Sequence, residues 1–77
     1  MASYEDLADR LVLITGGANG IGQAMVEAFH AQGAIVSFCD LDEAGGKRLV
    51  KRLGERISFT KVDLTREVDI KRWVAKE

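Results

Sequence analysis

A chain of 77 residues with 11 basic and 12 acidic side chains has a formal charge of −1, and this length has room for one small domain at most, which excludes a two-domain enzyme within it. Its 47% hydrophobic and 30% charged content, with eight glycines and no proline, belongs to a globular chain and not to a disordered or collagenous one. The near-neutral balance argues against the broad basic surface that sequence-independent binding of DNA or RNA needs.

The start, MASYEDLADR, has neither the basic opening nor the apolar stretch of a signal peptide, and no apolar run approaches membrane-spanning length. No export, anchoring or membrane partner is therefore expected. Cys39 is the single cysteine, so no intrachain disulfide forms and a reducing compartment, the cytoplasm, is the natural setting.

In chain order, Leu11-Val12-Leu13-Ile14 is a continuous apolar run, which predicts a strand covered on both faces, as in a parallel sheet between helices. From Ile21 to Gln32, Ile21, Ala24, Met25, Ala28, Phe29 and Ala31 recur at helical spacing, leaving Gln23, Glu27 and His30 for the wetter side, and Gly33 closes the helix. A second β-rich run, Ala34 to Cys39, stops at Asp40. Asp42 to Leu53 reads as a charged helix with Leu49, Val50 and Leu53 inside and with Gly45 and Gly46 weakening its first turns. Arg56 to Val62 alternates as a third strand, and Arg66 to Glu77 starts a third helix carrying Val68, Ile70, Trp73 and Val74.

The order β-α-β-α-β-α with short connections means parallel strands joined by right-handed crossovers. A piece of a β/α barrel would show the same order, and the loop after the first strand decides for the doubly wound sheet. That loop, Thr15-Gly16-Gly17-Ala18-Asn19-Gly20-Ile21-Gly22, delivers the chain to a helix N-terminus. Gly16 permits the sharp exit from the strand, Gly20 lets backbone approach a pyrophosphate, and Gly22 lets the helix pack closely on the sheet. The helix-start N–H groups and the positive end of the dipole then face the anion.

Asp40 ends the second strand about twenty residues after the loop, where a dinucleotide fold places the carboxylate that accepts from the adenosine ribose hydroxyls. The alternative is a cap on the next helix with Glu43 three residues on, but Asp42 competes for that role, which favours the ribose contact. A carboxylate here repels a 2′-phosphate, and neither Asn19 nor Leu41 supplies a cation to attract one, so NAD is favoured over NADP.

With TGGANGIG after one strand, CDLD after the next and VDLT after the third, the chain resembles the N-terminal, cofactor-binding portion of the short-chain dehydrogenase/reductase family. The family's T-G-x-x-x-G-x-G is matched by Thr15, Gly16, Gly20 and Gly22, and the resemblance covers essentially the whole chain. It implies an α/β Rossmann domain, incomplete over 1–77. It also implies that Asn19 and Ile21 add loop contacts to the cofactor, Asp40 with Leu41 beside it the ribose contact, and Asp63 with Leu64 the edge of the adenine ring. From its own surroundings, one residue short of Leu64 and two short of Thr65, Asp63 reads as readily as a turn or helix cap.

By the same resemblance, an Asn-Asn-Ala-Gly segment and a catalytic Ser, Tyr and Lys should follow a fourth strand. Tyr4 is followed at the lysine spacing by Ala8, and Ser3, Ser37 and Ser58 fall in the leader and in two strands, so none of these residues is expected to act as general acid. The expectation is thus a fragment that is inert by itself. Its complete form would move a hydride between NAD and an alcohol or carbonyl, and would form a homo-oligomer as the family tends to. A stand-alone nucleotide-binding or interaction module is the other reading. Cutting the doubly wound order 3-2-1-4-5-6 after the third helix would leave the first strand as a bare edge that invites pairing, with Val12, Ile14, Ile35 and Phe38 losing part of their cover.

His30, lacking ligands at metal spacing, reads as a solvent-side helix residue. Lys47, Arg48, Lys51 and Arg52 read as a solvated face, Trp73 as packing, and Cys39 as a small apolar filler of a strand end.

Overall fold

The computed structural model describes residues 8–77. Within them β1 (Leu11–Thr15), α1 (Gly20–Ala31), β2 (Ile35–Asp40), α2 (Glu43–Leu53), β3 (Ile57–Lys61) and α3 (Glu67–Lys76) follow in that order. The strands are parallel and β2 lies between β1 and β3. This is the 3-2-1 side of the doubly wound order, and each element begins and ends within a residue of the predicted bound.

Strand alternation divides the apolar residues into two layers. On one face Val12, Ile14, Val36, Phe38, Ile57 and Phe59 pack with Val26 and Phe29 of α1 and with Leu49, Val50 and Leu53 of α2. The approach of α2 requires Gly46, since a Cβ there would stand 2.4 Å from the Phe59 ring. Of the two glycines expected to weaken this helix, Gly46 therefore admits it to the sheet, while Gly45 leaves room for the Asp42 carboxylate at its cap. On the other face Trp73 and Ile70 of α3 pack on Cys39, Val62 and Leu64. Phe38, Val36 and Cys39 are completely enclosed, and burying a side chain such as Phe38 stabilises by about 1.5–3 kcal/mol, so β2 anchors both layers.

β1 is not covered on both faces. Leu11 is 51% and Leu13 37% exposed, and Ile35, paired with Leu11 in register, shares their face. α1 lies over β1 and β2 and α2 over β2 and β3 on the face of Val12 and Ile14, while α3 covers the other face at Cys39 and Val62 and, through Glu77 at its end, at Ser37, so cover is missing over Leu11, Leu13 and Ile35 among the described residues. Of the residues expected to lose cover, Val36's neighbour Ile35 does so, whereas Val12, Ile14 and Phe38 keep theirs.

The faces of α1 also differ from the prediction. Ile21 is 82% exposed and Ala24, Met25, Ala28 and Ala31 are exposed as well, whereas Gln23, Glu27 and His30 are half-buried. Gly22, Val26 and Phe29 turn toward the sheet, and the polar stripe turns toward α2. There Glu27 pairs with Arg52, and His30 Nε2 lies 2.6 Å from the Glu55 carbonyl oxygen. A polar seam between the helices thus takes the place of an apolar one, and Ile21, Met25 and Ala28 fall on the flank opposite α2.

Candidate cofactor site

The end of β2 moors the glycine loop at four consecutive residues. Gly16 N–H and Gly17 N–H donate to the Cys39 carbonyl at 2.7 and 3.3 Å. Ala18 N–H donates to Asp40 Oδ2 at 3.1 Å, and Asn19 Nδ2 donates to Asp42 Oδ2 at 2.7 Å. Such tethers matter because a glycine-rich turn loses much conformational freedom on folding. Gly16 and Gly20 hold φ of +70° and +60°, a region glycine enters freely.

The glycines have three different surroundings. A Cβ on Gly20 would meet nothing within 4 Å, so the space over this residue is open to a ligand. A Cβ on Gly22 would fall 1.9 Å from the Gly16 carbonyl oxygen. Gly22 therefore closes the loop on itself, and the contact expected with the sheet belongs instead to Gly17, where a Cβ would stand 2.7 Å from the Phe38 ring. The motif leaves position 17 free, and only the Gly-Gly pair in the sequence hinted at its role.

Asn19 occupies the N-cap of α1, yet its side chain makes no capping bond because the amide is engaged by Asp42. The first N–H groups of α1 are left uncapped beside the open space over Gly20, the condition in which a helix start receives an anion. Asp40 is half-buried at the end of β2 and accepts from Asp42 N–H as well as from Ala18. It does not cap α2. Asp42 does, accepting from Gly45 N–H at 2.9 Å. The Asn19 amide, with the Gly45 N–H, holds the Asp42 carboxyl below its ordinary range, and Arg48 adds to the effect.

Asp63 forms a local turn in which Thr65 Oγ1 donates at 2.6 Å and Thr65 N–H at 3.0 Å, and these bonds lower its pKa. The cap of α3 is Arg66, which offers no side-chain bond. Leu64 comes within 3.8 Å of the position a Gly16 Cβ would take, which brings the turn after β3 against the loop after β1. Leu41 and Ile21 are both exposed beside this region. The site residues read from the sequence thus gather at the C-terminal ends of the three strands, where open α/β sheets bind ligands. Among the described residues no group of three or more His, Cys, Asp or Glu side chains is placed to hold a metal ion. Burial of Cys39 raises its thiol pKa, which keeps it a packing residue.

The sequence profile of the short chain dehydrogenase family matches residues 10–77. The chain belongs to that family. It is 42% identical over 76 residues to L-fucose dehydrogenase of Mus musculus, covering 99% of this chain and 28% of that protein. It is 41% identical over 63 residues to 3-beta-hydroxysteroid dehydrogenase of Comamonas testosteroni, covering 82% of this chain and 25% of the other. Among solved structures, 3-ketoacyl-(acyl-carrier-protein) reductase from Brucella melitensis complexed with NADH superposes with a TM-score of 0.83 at 31% identity, covering 91% of this chain and 29% of that one. The chain therefore spans less than a third of the length of these relatives. No helix among the described residues is long and apolar enough to cross a membrane.

Proposed function

We propose that these residues form the adenosine side of an NAD site in a short-chain oxidoreductase that moves a hydride between NAD and an alcohol or carbonyl substrate. The observation that carries this reading is the placement of Asp40. Its half-buried carboxylate stands at the end of β2, moored to the loop through Ala18, with the uncapped start of α1 and the open space over Gly20 alongside. The carboxylate accepts the ribose hydroxyls, and the N–H groups of Gly20, Ile21 and Gly22 receive the pyrophosphate. Leu41 and Leu64 supply apolar contact and Asp63 an acceptor at the adenine edge, while Asn19 keeps the loop in shape through Asp42.

When bound, the nicotinamide supplies or accepts the hydride. No Tyr-x-x-x-Lys pair occurs in the 77 residues, so in this reading proton transfer belongs to residues beyond them and these residues alone turn over no alcohol. Asp40 gives NAD the preference over NADP through like-charge repulsion of a 2′-phosphate. The free Cys39 fits a reducing, cytoplasmic setting, and the complete protein is expected to be a homo-oligomer. Calorimetric titration with each dinucleotide tests the reading. Tighter binding of NAD supports it, and tighter binding of NADP, or binding of neither, overturns it.

A further inference from the structure

Between α1 and α2 lies a cavity of about 640 Å³. Ala18, Asn19 and Gln23 line it from the first helix and its approach, and Arg48, Lys51 and Arg52 from the second. No carboxylate is among the residues lining it. The basic cluster that reads from the sequence as a solvated face thus turns three of its members into a concave site.

Several cations on α2 and α3 are paired, whereas Lys61, Arg72 and Lys76 at the other side of the sheet are not, among the described residues. Lys47 lies 3.9 Å from Glu43, Arg66 3.5 Å from Asp69 and Lys71 3.0 Å from Glu67. Within the cavity Arg52 is likewise committed, to Glu27. Arg48 and Lys51 line the cavity and, among the described residues, make no hydrogen bond or ion pair, and Arg48 acts on Asp42 only through its field. Opposite them, Asn19 Nδ2 has a second hydrogen beyond the one given to Asp42, and the Gln23 amide, which donates one hydrogen to Glu27 Oε1 at 3.5 Å, has a second as well. A guanidinium fork, an ammonium and two amides offer more donors than one carboxylate could accept, and they match the several oxygens of a tetrahedral anion.

We infer that this cavity binds a small free phosphate anion, held by Arg48 and Lys51 against the Asn19 and Gln23 amides. The inference does not need the NAD reading.

Titration of the protein with inorganic phosphate, followed by ¹H–¹⁵N resonances, tests it. Saturable shifts are expected at residues 18–23 and 48–52, with the Trp73 amide unmoved. Arg48→Gln should weaken the binding by about tenfold, since a charged bidentate donor is lost. Lys47→Gln, the same change of charge on a paired neighbour, should leave it unchanged. Arg48 and Lys47 are both exposed, and unchanged melting temperatures confirm that the variants fold. Shifts that never saturate, equal weakening by the two variants, or displacement of phosphate by NADP but not by NAD would each overturn the proposal. Saturable phosphate binding by a protein that binds no dinucleotide would refute only the NAD reading.

Discussion

Ala18 N–H donates to Oδ2 of Asp40 across 22 residues of chain, which joins the middle of the glycine loop to the last residue of β2. One carboxylate thus holds the loop and faces the ribose position. Its second oxygen accepts from Asp42 N–H, so Asp40 also sets the turn that leads into α2.

Asp40→Ala therefore removes a ligand acceptor and a loop tether together. NAD binding should weaken by about 1–3 kcal/mol, the cost of leaving polar groups without their acceptor, and the preference over NADP should narrow. Calorimetric titration of both dinucleotides reads the two effects separately. Unchanged NAD affinity would show that the ribose lies elsewhere.

Gly20 and Gly22 should respond to substitution in opposite ways. At Gly22 a methyl group meets the Gly16 carbonyl oxygen, so Gly22→Ala must displace the loop and should cost about 1–3 kcal/mol as overpacking, or roughly 4–24 °C in a domain this small. Gly20→Val adds bulk to open space and carries only the strain of a positive φ, about 1–2 kcal/mol. Its larger effect should be on the cofactor, because the side chain fills the approach to the helix start. Thermal melts set beside dinucleotide titrations would distinguish the two, and an unperturbed melt for Gly22→Ala would contradict the contact described.

Acid should destabilise the loop in a predictable direction. The carboxyls of Asp42 and Asp63 titrate below their ordinary range in the folded chain, held there by the Asn19 amide and by the Thr65 hydroxyl respectively. A depressed folded pKa contributes stability that is present above the unfolded value and is lost as pH falls through the folded one. Stability should be level above about pH 5 and should decline below about pH 4. Asp42→Asn, which keeps an acceptor for Gly45 N–H but no longer titrates, should flatten that decline in denaturant melts run across the range. A slope identical to that of the parent would remove Asp42 from the account.

The 77-residue chain by itself should self-associate through β1. Among the described residues only one side of this strand is paired, and Leu11, Leu13 and Ile35 offer an apolar face next to the open edge. Size-exclusion chromatography at micromolar concentration should show oligomers, and Leu13→Lys should shift the distribution toward monomer. A monomeric parent chain would refute the edge argument.

The order of elements was legible because each strand and helix carries its own period, and Gly16, Gly33 and Asp40 mark their ends. The cofactor loop was legible because its glycine spacing is tied to backbone geometry. Which face of α1 meets the sheet was not legible. Its exposed flank, with Ile21 and Met25, is as apolar as its buried one, so periodicity alone selected the wrong stripe, and only the Glu27–Arg52 and His30–Glu55 contacts reveal that Gln23, Glu27 and His30 turn toward α2. Gly17 escaped notice for a related reason. Its role depends on the ring of Phe38, 21 residues further on, and no local pattern reports a long-range contact of that kind.

Trp73 is the only tryptophan in the chain, and it packs against Cys39, whose carbonyl receives the Gly16 and Gly17 N–H groups. The molecule thus contains an intrinsic optical probe one residue removed from its glycine loop. A buried indole emits at short wavelength, and a neighbouring thiol quenches it, so movement of the β2 end should change both colour and intensity. Reduced nicotinamide absorbs where indole emits, and excitation of Trp73 should pass to it by energy transfer. Occupancy of the loop could then be followed without a label.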